Sequence, residues 1–259
     1  MIKNRLSAVA KELGIPQIGF SKNAVVALFP YFVKGERGNL SLYARGLDYH
    51  TVAEELLKKL AEKLAELGAT EILIHVDKGG LDDRKAAYEA GLGFLGMNGM
   101  LISPKYGSYF FIGQIVHDLD IEPDLPMEME CISCGRCERE CPGGAIKGGR
   151  VDESKCLSAI SQKRGELDEA ERELIVKNGL CWGCDVCQSV CPHNRGLETN
   201  ALPEFLNERI TSLSKCDIEG LSNKEFKEKY KKYAFSWRGK GVLLRNLDIL
   251  ENNQERHLL

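Results

Sequence analysis

Cysteine is the reactive residue type that stands out in this 259-residue chain, with 10 copies. Eight fall into two runs of one spacing, Cys131-x2-Cys134-x2-Cys137-x3-Cys141-Pro142 and Cys181-x2-Cys184-x2-Cys187-x3-Cys191-Pro192. Short Cys-x2-Cys turns let three thiolates converge on one iron–sulfur cubane. The fourth thiolate, followed by Pro, reaches the neighbouring cubane. Two such runs therefore hold two 4Fe–4S clusters by exchanging their last ligands. Structural zinc also uses Cys-x2-Cys pairs, but it does not call for four cysteines at 2-2-3 spacing followed by proline, twice. From spacing alone Cys181 is a ligand, and Cys156 and Cys216 are spare.

The surroundings favour clusters over disulfides. The N-terminus Met1-Ile2-Lys3-Asn4-Arg5 runs straight into an amphipathic pattern with no apolar signal region. Free cysteines in that context imply a reducing, cytoplasmic compartment. No apolar stretch approaches the roughly 18 residues of a membrane span. Net charge is −3, so the whole chain carries no electrostatic signature of nucleic-acid binding.

Elements that must position the thiols can be read from periodicity. Ile2, Leu6, Val9, Ala10 and Leu13 recur at helical spacing, and Gly14 stops the helix. Val25 to Phe29 and Ile72 to Val76 read as buried strands. Thr51-Val52-Ala53-Glu54 has capping-box spacing before a leucine-rich helix that ends at Gly68. Asp82 to Ala90 reads as helix, and Leu101-Ile102 and Tyr109 to Ile112 as strand. Asp118 to Glu130 is acidic, carries Pro123 and Pro126, and reads as a linker. Asp168 to Lys177 reads as a helix stopped by Gly179, and the tail from Ala201 as helical and polar. The expected class is α+β. An N-terminal α/β domain (1–122), its central sheet flanked by helices, precedes a bacterial-ferredoxin-like double-cluster domain (123–200) and a helical C-terminal segment (201–259).

Several segments, in one order, resemble the epoxyqueuosine reductases, cobalamin-dependent iron–sulfur enzymes that complete queuosine in tRNA. They are Tyr43-Ala44-Arg45-Gly46-Leu47-Asp48-Tyr49-His50, Ala90-Gly91-Leu92-Gly93-Phe94-Leu95-Gly96, Gly107-Ser108-Tyr109-Phe110-Phe111, both cysteine runs and Cys156-Leu157-Ser158. The resemblance extends from about residue 20 to 195, and less clearly through Leu244-Arg245-Asn246. It implies a different eighth ligand. One cluster would take Cys131, Cys134, Cys137 and Cys191, and the other Cys141, Cys156, Cys184 and Cys187, because the position of Cys181 is usually apolar in that family. It also implies cobalamin without a histidine lower ligand. Tyr43, Arg45, Asp48, Asn98, Leu101, Ser108, Ser158 and Asp185 would contact that cofactor.

The resemblance further implies that Asp77 is the proton donor, thirteen residues before Ala90 and just past a strand of apolar residues. A turn or helix-cap Asp is the plain alternative. The chain departs from the family pattern at Lys78-Gly79-Gly80, at Met97-Asn98 where a Lys usually follows Gly96, and at His193. The expectation is a short form without the family's C-terminal helical repeats. His50 could contact the cofactor or cap the following helix, and His75 reads as packing. Gly91-x-Gly93-x-x-Gly96 follows a helix rather than a strand, so it fails as a dinucleotide loop; its glycines suggest close approach to a flat cofactor.

Lys224 to Arg245 holds eight Lys or Arg and two Glu, interleaved with Phe226, Tyr230, Tyr233, Phe235 and Trp237. Such a stretch could neutralise phosphates and stack bases, or be a solvated helix with its aromatics in the core. The resemblance puts Lys163 and Arg164 against tRNA near the anticodon. The expected partners are tRNA and an external low-potential donor, a flavodoxin or ferredoxin, with the chain a monomer. Two further readings compete: a corrinoid reductase of another small substrate, similar to reductive dehalogenases, and a ferredoxin-type electron carrier.

Overall fold

The computed structural model describes residues 2–77 and 81–256, so Lys78-Gly79-Gly80 lies outside the described residues. Helix α1 (Ile2–Glu12) leads into a hairpin of β1 (Gln17–Ser21) and β2 (Ala24–Pro30). Helix α2 (Tyr49–Glu66), β3 (Ile72–His75) and α3 (Asp83–Glu89) follow. A short hairpin, β4 (Phe94–Leu95) and β5 (Leu101–Ile102), precedes the long β6 (Phe110–His117). The main sheet has the order β1-β2-β6-β3, and every pairing in it is antiparallel. The α/β alternation therefore does not build a parallel, doubly wound sheet. The rule that places ligands at the carboxyl ends of parallel strands does not govern this site.

Strand β2 is buried along its whole length, and its alternation assigns both faces. Val25, Ala27 and Phe29 pack with α1 and α2, through Leu6, Leu57 and Leu60. Ala24, Val26 and Leu28 pack with Ala87, Ala90 and Leu92 of the α3 side. Burying each of these larger side chains contributes about 1.5–3 kcal/mol. Helix α2 begins two residues before Thr51, because Asp48 supplies the cap and accepts from His50 N at 3.0 Å.

The cysteine segment holds α4 (Arg136–Arg139), a hairpin of β7 (Ile146–Lys147) and β8 (Arg150–Val151), α5 (Leu157–Gln162), α6 (Glu169–Asn178) and α7 (Val186–Ser189). Asp168 and Glu171 close a capping box on α6, and Gly179 ends it at φ 72°. The tail adds α8 (Pro203–Leu206), α9 (Asn223–Tyr230) and α10 (Lys240–Arg256). The tail is more than a polar appendage. Phe226, Tyr230, Tyr233 and Phe235 are buried together with Leu40, Ala44, Cys181 and Trp182 in one core. Asn246 of α10 donates to Ser161 O (2.7 Å) and Cys181 O (2.8 Å), tying the tail to the cysteine segment. No helix among the described residues is long and apolar enough to cross a membrane.

The three glycines of Gly91-x-Gly93-x-x-Gly96 serve the chain itself rather than a cofactor. A Cβ on Gly91 would sit 2.5 Å from Leu125 O, one on Gly93 2.5 Å from Ile102 O, and one on Gly96 2.6 Å from Asn98 Oδ1. They let β4 and its flanking turns lie against neighbouring backbone.

Candidate iron–sulfur and active site

Folding regroups the thiols across the two runs. Cys131, Cys134, Cys137 and Cys191 line one small cavity, together with Ile132, Asn98 and His193. A second group forms around Cys187. Burial pushes its thiol up to about 12, and Cys184, Cys156, Cys141 and Cys137 act in the same direction. Cys184 is likewise pushed up to about 11 by burial, with Cys156 and Cys141 among its charged neighbours. Helices α4 and α7 bring the groups side by side, so that Cys137 belongs to one quartet and still bears on Cys187 of the other. Cys181 stands apart. It is 0% exposed in the tail core, and its thiol is pushed up to about 12 by burial, with no other cysteine acting on it.

The donor set suits cubanes. Each group brings four thiols together from segments far apart in the chain, and a metal centre takes such ligands as thiolates, releasing their protons as it binds. The Ala145 N–H donates to Cys141 Sγ at 3.3 Å, the type of contact that tunes a cluster.

Beside the second quartet lies a group of tyrosines around one buried carboxylate, Asp185. Burial pushes the Tyr109 phenol well above its ordinary value, reinforced by Asp185, Cys187 and Cys191. Burial does the same to Tyr43, whose neighbours include Asp185, Ser158 and Asp77. Gln162 Nε2 donates to Tyr43 OH at 3.2 Å. Asp185 accepts from Ser41 Oγ (2.5 Å) and Leu42 N (2.9 Å); burial raises its pKa against those bonds and against Arg45.

Asp77 stands at the open side of this group. It follows β3 in a left-handed conformation, φ 53°, and its side chain is 66% exposed. Tyr49 OH donates to Asp77 Oδ2 at 2.5 Å, and His50 Nε2 lies 4.0 Å from the same oxygen. Tyr49 is fixed by stacking on Phe111, centroids 4.1 Å apart at 6°. Burial and then Asp77 hold the Tyr49 proton on, so the phenol is the donor in this pair. His50 Nδ1 is 2.8 Å from Asp48 Oδ1. His50 therefore does not cap α2; Asp48 does.

The remaining sequence-derived contacts divide by what already holds them. Arg45 is 3% exposed, donates to Leu40 O and Glu36, and shares Glu36 with Arg209. Leu101 is 2% exposed in the α3-side core. Asn98 donates to Cys187 O (3.3 Å) and lines the first quartet's cavity. Ser108 Oγ accepts from Gln188 (3.1 Å) and Asn194 (2.9 Å). Tyr43 and Ser158 are the two of this set that come together beside Asp77 and the second quartet. Lys163 pairs with Glu171 at 2.7 Å, and Arg164 is exposed.

Sequence reasoning missed Tyr49 as the partner of Asp77, although it lies inside the quoted Tyr43–His50 segment. It also missed the bond from Trp237 Nε1 to Gln162 Oε1 at 3.1 Å, which joins the tail to the site. No local signal could have found that pair, 75 residues apart.

Two interleaved thiol quartets beside a helix-flanked antiparallel sheet define an iron–sulfur protein of the two-cluster class. Residues 130–194 match the family described as 4Fe-4S double cluster binding domain, and residues 21–78 the one described as Epoxyqueuosine reductase QueG, DUF1730. An epoxyqueuosine reductase of Lactococcus garvieae is 42% identical over 214 residues, 82% of this chain and 60% of its own length. One of Cellulophaga algicola is 34% identical over 216 residues, 82% of this chain and 70% of its own length. The structure of the Streptococcus thermophilus epoxyqueuosine reductase superposes with a TM-score of 0.86 at 31% identity, covering 98% of this chain and 81% of that one. An epoxyqueuosine reductase solved with an epoxyqueuosine-modified tRNA-Tyr stem loop gives 0.86 at 29% identity, covering 96% and 80%. A catabolic reductive dehalogenase shares the fold at 19% identity and a TM-score of 0.53. The chain belongs to the epoxyqueuosine reductase family. It spans about 60% of the length of the Lactococcus garvieae relative.

Proposed function

We propose that this chain is a cobalamin- and iron–sulfur-dependent reductase that converts epoxyqueuosine to queuosine in tRNA. The observation that carries the reading is the Asp77 carboxyl, open to solvent, held by Tyr49, and grouped with Tyr43 and Ser158 beside the second thiol quartet. Removing the epoxide oxygen consumes two electrons and two protons and releases water. Tyr49 occupies Oδ2 and leaves Oδ1 without a hydrogen-bond partner among the described residues. That oxygen is the one to hold a proton and deliver it at the departing oxygen.

One quartet, Cys131, Cys134, Cys137 and Cys191, would hold the first cluster; Cys141, Cys156, Cys184 and Cys187 would hold the second. The uncharged rim of Tyr43, Ser158 and Gln162 fits the amide-bearing edge of a corrinoid, with the aromatic wall of Tyr49 and Phe111 behind it. Bound there, cobalamin would supply the low-potential reductant. Ser108 and Asn98 would act by fixing the backbone around Cys187, Asn194 and Gln188. Arg45, Asp48, Asp185 and Leu101 would hold the surrounding loops in shape.

Four of the five tail aromatics, Phe226, Tyr230, Tyr233 and Phe235, are buried, and the fifth, Trp237, marks the corner that suits RNA. Trp237 is 56% exposed, Arg238 lies 3.5 Å over its ring, and Trp237 bonds Gln162, next to Lys163 and Arg164. An indole, a guanidinium and two further cations beside the site suit an unpaired anticodon base and its phosphates. The donor would be a small low-potential flavodoxin or ferredoxin meeting the first quartet, where Ile132 is 60% exposed. The reading makes the protein a cytoplasmic monomer. The test is anaerobic, cluster-loaded protein with cobalamin, a low-potential reductant and an epoxyqueuosine-bearing stem loop. Queuosine, detected by mass, is expected; its absence from fully loaded protein would move the assignment to a different corrinoid reduction.

A further inference from the structure

Asp77 holds a left-handed backbone conformation, φ 53°, which side-chain-bearing residues adopt chiefly where local hydrogen bonds support it. Its backbone N–H donates to Asp83 Oδ2 at 3.0 Å. The other oxygen of Asp83 is tied to the sheet: His75 Nδ1 lies 2.9 Å from Oδ1, and Gln114 Nε2 donates to it at 2.6 Å. His75 of β3 and Gln114 of β6 are partners in strand register and are 6% and 4% exposed. His75 Nε2 is buried without a hydrogen-bond partner among the described residues, so the ring's contact with Asp83 is made through Nδ1. One carboxylate thus gathers three donors, two from the rigid sheet and one from the backbone of the exposed acid.

We propose that Asp83 is a positioning residue for Asp77: it locks the backbone of the proton-donating residue to the sheet and so aims its carboxyl. The proposal rests on Asp77 being the proton donor. Tyr49 fixes the side chain from the helix side, and Asp83 fixes the backbone from the sheet side. An amide at position 83 has one accepting oxygen where the site needs two, and its NH2 would face a donor. Asp83→Asn therefore loses one arm while keeping its shape. A residue that merely starts α3 would, on substitution, change stability and leave the carboxyl's aim alone.

The experiment uses the cluster- and cobalamin-loaded enzyme with an epoxyqueuosine-bearing stem loop. Asp83→Asn should lower kcat about tenfold to a hundredfold, the scale of a misplacement near 1 Å, with KM and iron content unchanged. Asp77→Asn/Asp83→Asn should be no slower than Asp77→Asn alone, because both substitutions act through one carboxyl. Gln114→Met, which removes one tether and leaves the carboxylate, should lower kcat in the same direction by less, and serves if Asp83→Asn does not fold. Amide hydrogen exchange gives a readout that needs no turnover: Asp77 N–H should lose protection in Asp83→Asn while the amides of β3 keep theirs. Wild-type kcat in both Asp83→Asn and Gln114→Met, or multiplicative losses in the double variant, would overturn the proposal. So would an Asp77 amide that exchanges equally fast in wild type and Asp83→Asn. A wild type that leaves epoxyqueuosine untouched would overturn the functional reading instead, with the exchange result still deciding the tether.

Discussion

Replacing Cys156 and Cys181 one at a time asks which thiol the second cluster uses. Cys181 is 0% exposed among Leu40, Ala44 and Trp182, with its N–H on Asn39 O at 2.7 Å and its carbonyl accepting from Asn246. Cys181→Ala keeps both backbone bonds and removes one buried atom the size of a methylene. The transfer loss is about 0.8 kcal/mol, and a small cavity raises it to about 1–2 kcal/mol. At about 2–4 °C per kcal/mol for a chain near this size, the melting temperature should fall by a few degrees. Iron should stay at about eight per chain. Cys156→Ala leaves Cys141, Cys184 and Cys187 as three thiols around a site that needs four. Iron should fall to about four per chain after anaerobic reconstitution. Iron analysis and the visible absorbance of the two variants, prepared side by side, decide the matter. Eight iron in Cys156→Ala with four in Cys181→Ala would refute the reasoning and restore the plain ferredoxin spacing.

Three more expectations come from the same geometry. Asp77→Asn should retain both clusters and bound cobalamin and lose about 10²–10⁴-fold in turnover; activity within a few-fold of wild type would return Asp77 to a turn residue. Neutralising Lys163 and Arg164 should weaken stem-loop binding and flatten its salt slope, and Trp237→Ala should weaken binding by about 1–3 kcal/mol with the slope nearly unchanged, both read by titration at several ionic strengths. Glu36 serves Arg45 and Arg209 at once, and although burial opposes ionisation, the two arginines hold its carboxyl below its ordinary value of 4.5. Its contribution is therefore present above pH 4.5 and lost as pH falls through the depressed folded value. Glu36→Gln should cost about 3 kcal/mol near neutral pH in denaturant titrations, and the gap should narrow in acid; a gap that does not change with pH would sink this account.

The thiol runs were legible because ligand spacing is a local property of the chain. So were α1, α3 and α6, whose caps and apolar periods lie within one segment. What could not be read depends on contacts far apart in sequence. Spacing alone points to Cys181 and the resemblance to Cys156; the packing of Cys181 against Leu40 and the tail, apart from the other thiols, supports the second reading and was not visible in the sequence. The tail aromatics follow a helical pattern whose inward face is visible only once Trp182 and Leu40 are seen beneath it. The strand alternation was right, but its pairing order and antiparallel sense come from β6 inserting between β2 and β3. The glycines near Leu92 signalled close approach correctly and misled about the object approached, which is the chain's own backbone. Asp83 carries no motif, because the three donors on it come from a strand, a neighbouring strand and a turn.

Each thiol quartet draws on both runs, and this sets a timetable for biosynthesis. Cys131, Cys134 and Cys137 leave the ribosome 54 residues or more before Cys191. At about 5–20 residues per second, the nascent chain carries an incomplete, three-thiol half-site for roughly 3–11 s. The second quartet waits longer for its final shape, because Asn246 must arrive before its amide can clasp Ser161 and Cys181. During that interval the unfinished thiols are open to oxygen and to stray zinc. The second site should therefore take its cluster only after Asn246 has emerged, and overexpression that outruns iron delivery should accumulate zinc-loaded or oxidised protein in place of the clustered form.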